Sequence, residues 1–268
     1  MSDPREASVD DMSYPAPDFD VRDFARTAAG SHRDRLGLDR YDDAPLSASV
    51  LRLLRYLQIV ERGTMTHLRS VLVTATHKDA RITAFLTTWA YEKYWIADAL
   101  DQIILAHAPE GTEPDRAPFN TPVERTIRES IFANIVGVPM IAVHMSVSTV
   151  DEWLMQAAYS QLSELAGNLA LSEEIDFIIS LKERQLVFFE AQARYRLLDS
   201  AQARRLTRRR LVKTAWPVGA KAEKQSETTF FYEQLFAKSP ELIATLDARV
   251  DTLPGQNGLG LIRRATTS

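Results

Sequence analysis

The chain consists mostly of long segments whose apolar residues recur every three or four positions, separated by short segments rich in Pro, Gly or Asp. This spacing places the apolar side chains on one face of an α-helix. Four long segments show the pattern, whereas the two-residue alternation of a half-buried strand is almost absent. The pattern predicts an all-α protein in which four long helices and several shorter ones form a bundle.

The first two long helices are predicted from their apolar stripes and their N-caps. Ser47 precedes one stripe, and Asp79 precedes a second that reaches about His107. Ser and Asp side chains accept hydrogen bonds from the free N–H groups of a first helical turn, so they favour helix starts. The stripe positions are Leu54, Leu57, Thr64, Leu68 and Val71 in the first helix, then Ile82, Phe85, Trp89, Ile96, Leu100 and Ile103 in the second.

The third long helix follows a predicted loop at residues 108–120, which contains three prolines and a glycine. Residues 121–124, TPVE, combine a capping box with proline in the first turn and predict a helix start. Gly137 and Pro139 predict a kink or a restart, because proline removes a backbone donor and clashes with the preceding turn. The restarted helix is predicted to run to about residue 166.

The fourth long helix and the C-terminal helices complete the prediction. Ser172 precedes two glutamates, which favour the positive end of the helix dipole, so a helix is predicted from there to about residue 198. A basic helix with five arginines at residues 204–210 follows, and then a turn at residues 216–219. The predicted divisions are an N-terminal arm 1–45 with a short helix near 21–28, a helical domain 46–268 with its core at about 47–199, C-terminal helices at 200–252 and a tail at 253–268.

One ionisable residue interrupts the apolar stripe of each long helix. Lys93, for example, lies three residues before Ile96 in the middle of the second stripe. A buried charge is unfavourable unless it is paired or bound to a metal, so these side chains are predicted to meet in one cluster. The alternative is that each lies at the edge of the bundle and extends to solvent. The four residues are Glu61, Lys93, Glu152 and Glu183.

Residues 85–100, FLTTWAYEKYWIADAL, and residues 182–190, KERQLVFFE, resemble the ligand helices of the ferritin-like di-iron proteins, in particular the acyl-carrier-protein desaturases. In that family two helices each supply a Glu-x-x-His pair, and two others each supply one glutamate. The resemblance covers about residues 51–219. It implies a ferritin-like four-helix bundle with additional C-terminal helices, and a homodimer.

The same resemblance implies a metal site that lacks half of its ligands. The first Glu-x-x-His pair falls on Lys93 and Ile96, and the second falls on Glu183 and Leu186. A lysine ammonium repels iron and attracts carboxylates, so Lys93 is expected to replace the metal charge. No metal cofactor is therefore expected, and iron held by atypical ligands is the alternative. The carboxylates that remain are Glu61, Glu152 and Glu183.

Composition narrows the classes of function. A net charge of -4 and a pI of about 5.8 disfavour a nucleic-acid-binding protein. The absence of cysteine excludes disulfides, thiolate nucleophiles and iron–sulfur clusters, and no glycine-rich phosphate loop is present. No apolar run is long enough to span a membrane, and the polar first residues do not resemble a secretory signal. A cytoplasmic protein that binds neither nucleic acid nor membrane is expected.

The side chains around the predicted cluster indicate a pocket for an apolar small molecule or an acyl chain. With the four ionisable residues as acid and base groups, the expected reaction is a non-redox cyclisation or isomerisation, in secondary metabolism. An iron-dependent oxygenase or desaturase and a non-catalytic binding protein or partner subunit stay open as alternatives. The predicted substrate-binding residues are Trp89, Ile96, His144, Met155, Tyr159 and Leu186.

Overall fold

The computed structural model describes residues 19–109, residue 112 and residues 137–267. Within these ranges every regular element is a helix and no strand is present, which confirms the all-α prediction. No helix in the same ranges is long and apolar enough to cross a membrane.

The helices fall on both sides of the undescribed segment. Before it lie α1 Val21–Arg26, α2 Arg40–Asp43, α3 Ala48–Arg62, α4 Thr64–Leu72 and α5 Ala80–Ala106. After it lie α6 Pro139–Ala166, α7 Leu169–Asp199, α8 Ala201–Lys213, α9 Gln225–Leu235, α10 Pro240–Asp251 and α11 Leu261–Thr266. Two short 3₁₀ turns occupy Ala75–Lys78 and Ala220–Ala222.

Side-chain caps begin α3 and α5 where the sequence predicts them. Ser47 Oγ accepts a hydrogen bond from the first turn of α3, and Asp79 Oδ1 accepts one from the first turn of α5. Pro139 lies in the first turn of α6, which agrees with the predicted restart. The predicted helix start at residues 121–124 lies outside the described residues.

Two predicted boundaries are wrong. The first long helix is divided at Gly63 into α3 and α4, at the residue type with the lowest helix propensity after proline. The helix α7 begins earlier than predicted, because Asn168 caps it with a 3.0 Å hydrogen bond to its first turn. Ser172 lies inside α7, where its Oγ accepts a hydrogen bond from Ser163. Gly167, with φ 55°, ends α6 immediately before that cap.

Three packed helix pairs enclose the core. The helix α3 packs against α5, and α6 packs against α7 and α8. Stacked rings join α5 to α7, with the centroids of Phe85 and Phe188 3.9 Å apart. These contacts bring the middle of α5, α6 and α7 and the end of α3 close together around one interior region.

Both ends of the described chain pack onto this body. Phe24 of α1 and Tyr41 of α2 are buried, as are Leu259 and Ile262 near the C-terminus. The short helix predicted near residues 21–28 is present as α1, while the predicted tail contains α11. Residues 19–45 and 253–267 therefore belong to the same hydrophobic core as the long helices.

Candidate functional site

Four charged side chains meet between α3, α5, α6 and α7, and we call them the ion cluster: Glu61, Lys93, Glu152 and Lys182. Their side chains are at most 2% exposed. Lys93 Nζ lies 3.0 Å from Glu61 Oε2 and 2.8 Å from Glu152 Oε1. Lys182 Nζ lies 2.7 Å from Glu61 Oε1 and 3.2 Å from Glu152 Oε2. Each carboxylate therefore bridges both ammonium groups through its two oxygens.

The structure places three of the four predicted residues together and corrects the fourth. Glu183 is exposed, and Lys182 points inward in its place. Neighbouring side chains on a helix point about 100° apart. An error of one residue in the predicted phase of α7 therefore places Glu183 where the structure has Lys182. The cluster consequently has two positive and two negative groups and no net charge, instead of three carboxylates around one lysine.

Two further donors satisfy the carboxylates of the ion cluster. The hydroxyl of Tyr159 donates to Glu61 Oε1 at 3.0 Å. The indole N–H of Trp89 donates to Glu152 Oε1 at 3.2 Å. Buried ion pairs are favourable only when geometry is good and the remaining hydrogen-bonding positions are filled, and both conditions hold here.

Mutual pairing keeps the cluster in its charged forms. Burial alone would raise the pKa of Glu61, but Lys182 and Lys93 lower it to about 2. Burial would also raise the pKa of Glu152, but the same two lysines lower it below its ordinary value. Burial would lower the pKa of Lys93, but the adjacent carboxylates raise it above its ordinary value. A proton carrier at neutral pH needs a pKa near 7, so these three groups are better suited to fixing charge.

A small cavity lies beside the ion cluster. Its volume of about 10 Å³ is room for about one water molecule. Trp89 and Met155, two of the predicted substrate contacts, form part of its apolar wall. Its polar lining consists of Glu61, Thr64, His67, Lys93, Ser148 and Asp151.

Asp151 is the carboxyl group of this cavity that titrates near neutrality. Its Oδ1 accepts a hydrogen bond of 2.7 Å from the backbone N–H of Val218. Burial raises the pKa of Asp151 to about 7. The positive charge of Lys93 lowers this pKa, and the negative charge of Glu152 raises it. Both the acid and the carboxylate are therefore populated at neutral pH.

The other predicted substrate contacts do not line this cavity. Ile96 and Leu186 are packed into the core, with 0% and 7% exposure. His144 is buried and hydrogen-bonds the hydroxyl of Thr76, with 2.9 Å between His144 Nδ1 and Thr76 Oγ1. Tyr159 contacts the ion cluster through Glu61. At these positions the described part of the core is filled, so the predicted room for an apolar molecule is not open there.

Sequence reasoning missed three residues of this region: Asp151, Lys182 and His67. Asp151 lies three residues after Ser148 and four before Met155, so it shares their helix face, and that spacing was an available signal. Lys182 and Glu183 are adjacent and both charged, so the apolar pattern alone does not decide between them.

A glycine-containing loop covers the cavity at the end of α3. Gly219 has φ 104°, and a Cβ there would lie 3.2 Å from the backbone oxygen of Val60. Glycine therefore allows residues 214–220 to approach α3 closely in a conformation that other residues avoid. This approach brings Val218 to the carboxyl group of Asp151.

The donor set does not fit the iron that the resemblance implies. Lys93 and Lys182 lie between the two carboxylates, where a carboxylate-bridged metal pair would need its ions, and an ammonium group has no lone pair to donate. Across the described residues, no group of three or more His, Cys, Asp or Glu side chains is arranged to hold a metal ion.

Comparison of the chain with protein-family models, curated proteins and solved structures finds no match. The likeness to ferritin-like proteins therefore rests on the two sequence segments and on compatibility with an all-helical fold. Fold alone would not assign an activity in any case, so the function has to be argued from the geometry of the site.

Proposed function

We propose that the protein is a metal-independent enzyme that catalyses a non-redox proton transfer, such as a cyclisation or an isomerisation, on an apolar small molecule. The observation that carries this proposal is the position of Asp151 beside the fixed ammonium of Lys93 at one cavity. In this view a ferritin-like four-helix bundle with added C-terminal helices keeps its architecture, and two lysines take the place of two metal ions.

Asp151 is the proton-transferring group in the proposed mechanism. Its carboxylate removes a proton from one carbon of the substrate and returns it to another, so the reaction needs no oxidant or reductant. Lys93 remains protonated and stabilises negative charge that develops on a substrate oxygen near the cavity. The ion cluster holds Lys93 in place and supplies no proton itself, in keeping with the lowered pKa of Glu61 and Glu152.

A substrate larger than water requires movement of the cavity wall. His67, Asp151 and Val218 are only half-buried, whereas the ion cluster behind them is buried. The proposed entry is therefore between α4 and residues 214–220. The reacting end of the substrate would reach Asp151, with Trp89 and Met155 against its apolar part.

A non-catalytic binding protein or partner subunit is the second candidate. The filled core around Ile96 and Leu186 favours it, because that core leaves little room for a ligand among the long helices. In this case the ion cluster is a structural replacement for metal and nothing more. The iron-dependent alternative has no such support, since the donor set does not fit iron.

A cytoplasmic homodimer remains part of the proposal. Tyr91, Tyr94 and Val187 are exposed apolar or aromatic side chains that a dimer interface could cover. Light scattering coupled to size-exclusion chromatography tests this part. A molar mass of twice 30.2 kDa is expected, and a mass of 30.2 kDa would contradict it.

The decisive test of the enzyme proposal compares small molecules in three strains of the source organism. One strain carries the wild-type gene, one carries Asp151→Asn, and one carries Glu183→Gln as a matched control at an exposed carboxylate. We expect one compound to accumulate with Asp151→Asn and a product of identical elemental composition to disappear. The purified wild-type protein should convert the first compound into the second.

The same comparison distinguishes the other candidates. A pair of compounds that differ by two hydrogens or by one oxygen would overturn the non-redox proposal in favour of oxidation. Identical profiles in all three strains would support the non-catalytic candidate. A change in the Glu183→Gln strain equal to that in the Asp151→Asn strain would show that the effect does not come from the cavity.

A further inference from the structure

The outward surface of α8 carries exposed cationic side chains, which we call the basic face. The buried residues of α8 lie on the opposite side of the helix, so its apolar stripe is already packed against the core. Three of the cations follow one another at intervals of four residues and form a row along the helix. The basic face consists of Arg205, Arg208, Arg209, Arg210 and Lys213.

Within the described chain, no carboxylate neutralises the basic face. Residues 200–222 contain seven Lys and Arg residues and no Asp or Glu. None of the five side chains forms an ion pair with a carboxylate of the described ranges. Like charges four residues apart destabilise a helix, and the row Arg205, Arg209 and Lys213 contains two such pairs. An anion bound to this face would reduce the repulsion.

Residues 1–18, which we call the acidic segment, carry the complementary charge. They contain five carboxylates and one arginine, which gives the segment a net charge of -4. The whole chain has the same net charge, so the remainder of the chain is neutral as a set. The excess negative charge of the protein is therefore concentrated in this segment. Its carboxylates belong to Asp3, Glu6, Asp10, Asp11 and Asp18.

The acidic segment joins the described structure at the end of the molecule where α8 begins. The backbone oxygen of Phe19 accepts a hydrogen bond of 2.6 Å from Arg81, the second residue of α5. Asp79, the cap of α5, lies 3.2 Å from Arg196 in the last turn of α7, and α8 begins at residue 201. An extended chain of this length spans up to about 60 Å, and α8 is only about 20 Å long, so the segment can reach the basic face.

We propose that the acidic segment binds the basic face of α8 in the same chain. Guanidinium and ammonium groups bind carboxylates through charge-assisted hydrogen bonds. A single exposed ion pair contributes little, so the contact depends on several pairs at once and weakens as salt increases. No residue of the basic face lines the cavity at Asp151, so the inference is independent of the proposed enzyme activity.

The test measures the distance between the two partners with a spin label. The chain contains no cysteine, so Ser8→Cys provides a single attachment site for a nitroxide. In ¹⁵N-labelled protein, we expect the backbone signals of residues 205–213 to lose most of their intensity and to recover it when the nitroxide is reduced. Signals of α2, which lies near the start of α7, should keep their intensity. Salt at about 0.5 M should abolish the loss by screening.

Charge reversal shows whether the basic face is the binding site. Arg205→Glu/Arg209→Glu is expected to abolish the loss of intensity. Lys224→Glu/Lys238→Glu, which makes the same change in net charge at exposed lysines elsewhere, is the control and should leave the loss unchanged. Reversal of both partners, by adding Asp10→Arg/Asp11→Arg to the first variant, should restore at least half of it. Unchanged α2 signals show that each variant is folded.

A mixed sample separates contact within one chain from contact between two chains. Spin-labelled chains without ¹⁵N are mixed with ¹⁵N-labelled chains that carry no spin label, and no loss of intensity is expected. A full loss in this mixture would overturn the proposal, because the acidic segment of a second copy would then occupy the basic face. The proposal is also overturned if residues 205–213 keep their intensity in the spin-labelled chain, or if Arg205→Glu/Arg209→Glu loses as much intensity as wild type.

Discussion

At the scale of single residues, the ion cluster consists of two carboxylates that each bridge the same two ammonium groups. Each lysine contacts both glutamates, and each glutamate uses one oxygen for each lysine. The unfavourable desolvation of four charges is offset because all four are paired. Stability therefore depends on the balance of the set, and the loss of a single member leaves a net buried charge.

Removal of one lysine tests this dependence. Lys182→Met should lower the free energy of unfolding by about 3–5 kcal/mol, because two carboxylates then share one ammonium group in the interior. Urea denaturation followed by circular dichroism measures the change. Lys213→Met is the control, since Lys213 is exposed on α8, and it should change stability by less than about 0.5 kcal/mol.

A charge-balanced double variant separates charge from packing. Lys182→Met/Glu61→Gln removes one positive and one negative group, so it should recover part of the stability that Lys182→Met alone loses. A double variant that is less stable than the sum of its single changes would contradict the account of the cluster as a balanced set.

The contributions of Asp151 and Glu61 to the free energy of unfolding are expected to change with pH in opposite directions. The folded pKa of Asp151 is raised to about 7 from 3.8, so the unfolded chain releases this proton first as pH rises. The contribution of Asp151 to stability therefore falls between about pH 4 and pH 7. Glu61, with its pKa lowered to about 2 from 4.5, contributes stability above pH 4.5 that is lost on acidification toward pH 2.

The variant Asp151→Asn isolates the first effect. Its stability relative to wild type should rise by about 2 kcal/mol between pH 5 and pH 8, because Asn keeps the size of the side chain and does not ionise. Urea titrations at several pH values measure this difference. A difference that does not vary with pH would show that Asp151 ionises at its ordinary pH.

At the scale of helices, the caps Ser47 and Asp79 were predictable, whereas the break at Gly63, the cap at Asn168 and the phase of the longest helix were not. Ser47 and Asp79 act locally, through the first turn that follows them, so the sequence pattern alone located α3 and α5. The helix α7 spans 31 residues, and both Lys182 and Glu183 lie near its apolar stripe. Which of them faces inward is decided by packing against α5 and α6, and packing is not a local property of the sequence.

The same reasoning explains why the cavity was predicted only in part. Glu61, Lys93 and Glu152 were identified because each lies within an apolar stripe. The spacing of Asp151 from Ser148 and Met155 placed it on the same face of α6, but its hydrogen bond to Val218, which is far away in the sequence, could not be predicted. Burial raises the pKa of Asp151, the hydrogen bond from Val218 opposes that rise, and both depend on the folded chain.

Gly219 provides a test at this scale. Gly219→Ala should lower the free energy of unfolding by about 2–3 kcal/mol, since the new Cβ adds a 3.2 Å contact with Val60 O to the strain of a positive φ. Gly258→Ala has a similar positive φ with nothing within 4 Å of the new Cβ, so it should cost only about 1 kcal/mol. Equal losses in the two variants would show that the close approach is unimportant.

At the scale of the whole molecule, the C-terminal part of the chain contributes to the wall of the cavity at Asp151. It carries the loop at residues 214–220, whose Val218 lines the cavity at Asp151 and whose Trp216 lines a second cavity of about 240 Å³ between α8, α9 and α11. Truncation after α7 would therefore remove the second cavity and one wall of the cavity at Asp151. The long helices alone do not enclose the cavity at Asp151.

The two cavities share this loop as a wall. If a molecule bound in the second cavity changes the proton affinity of Asp151 by some factor, ionisation of Asp151 must change the affinity of the second cavity by the same factor.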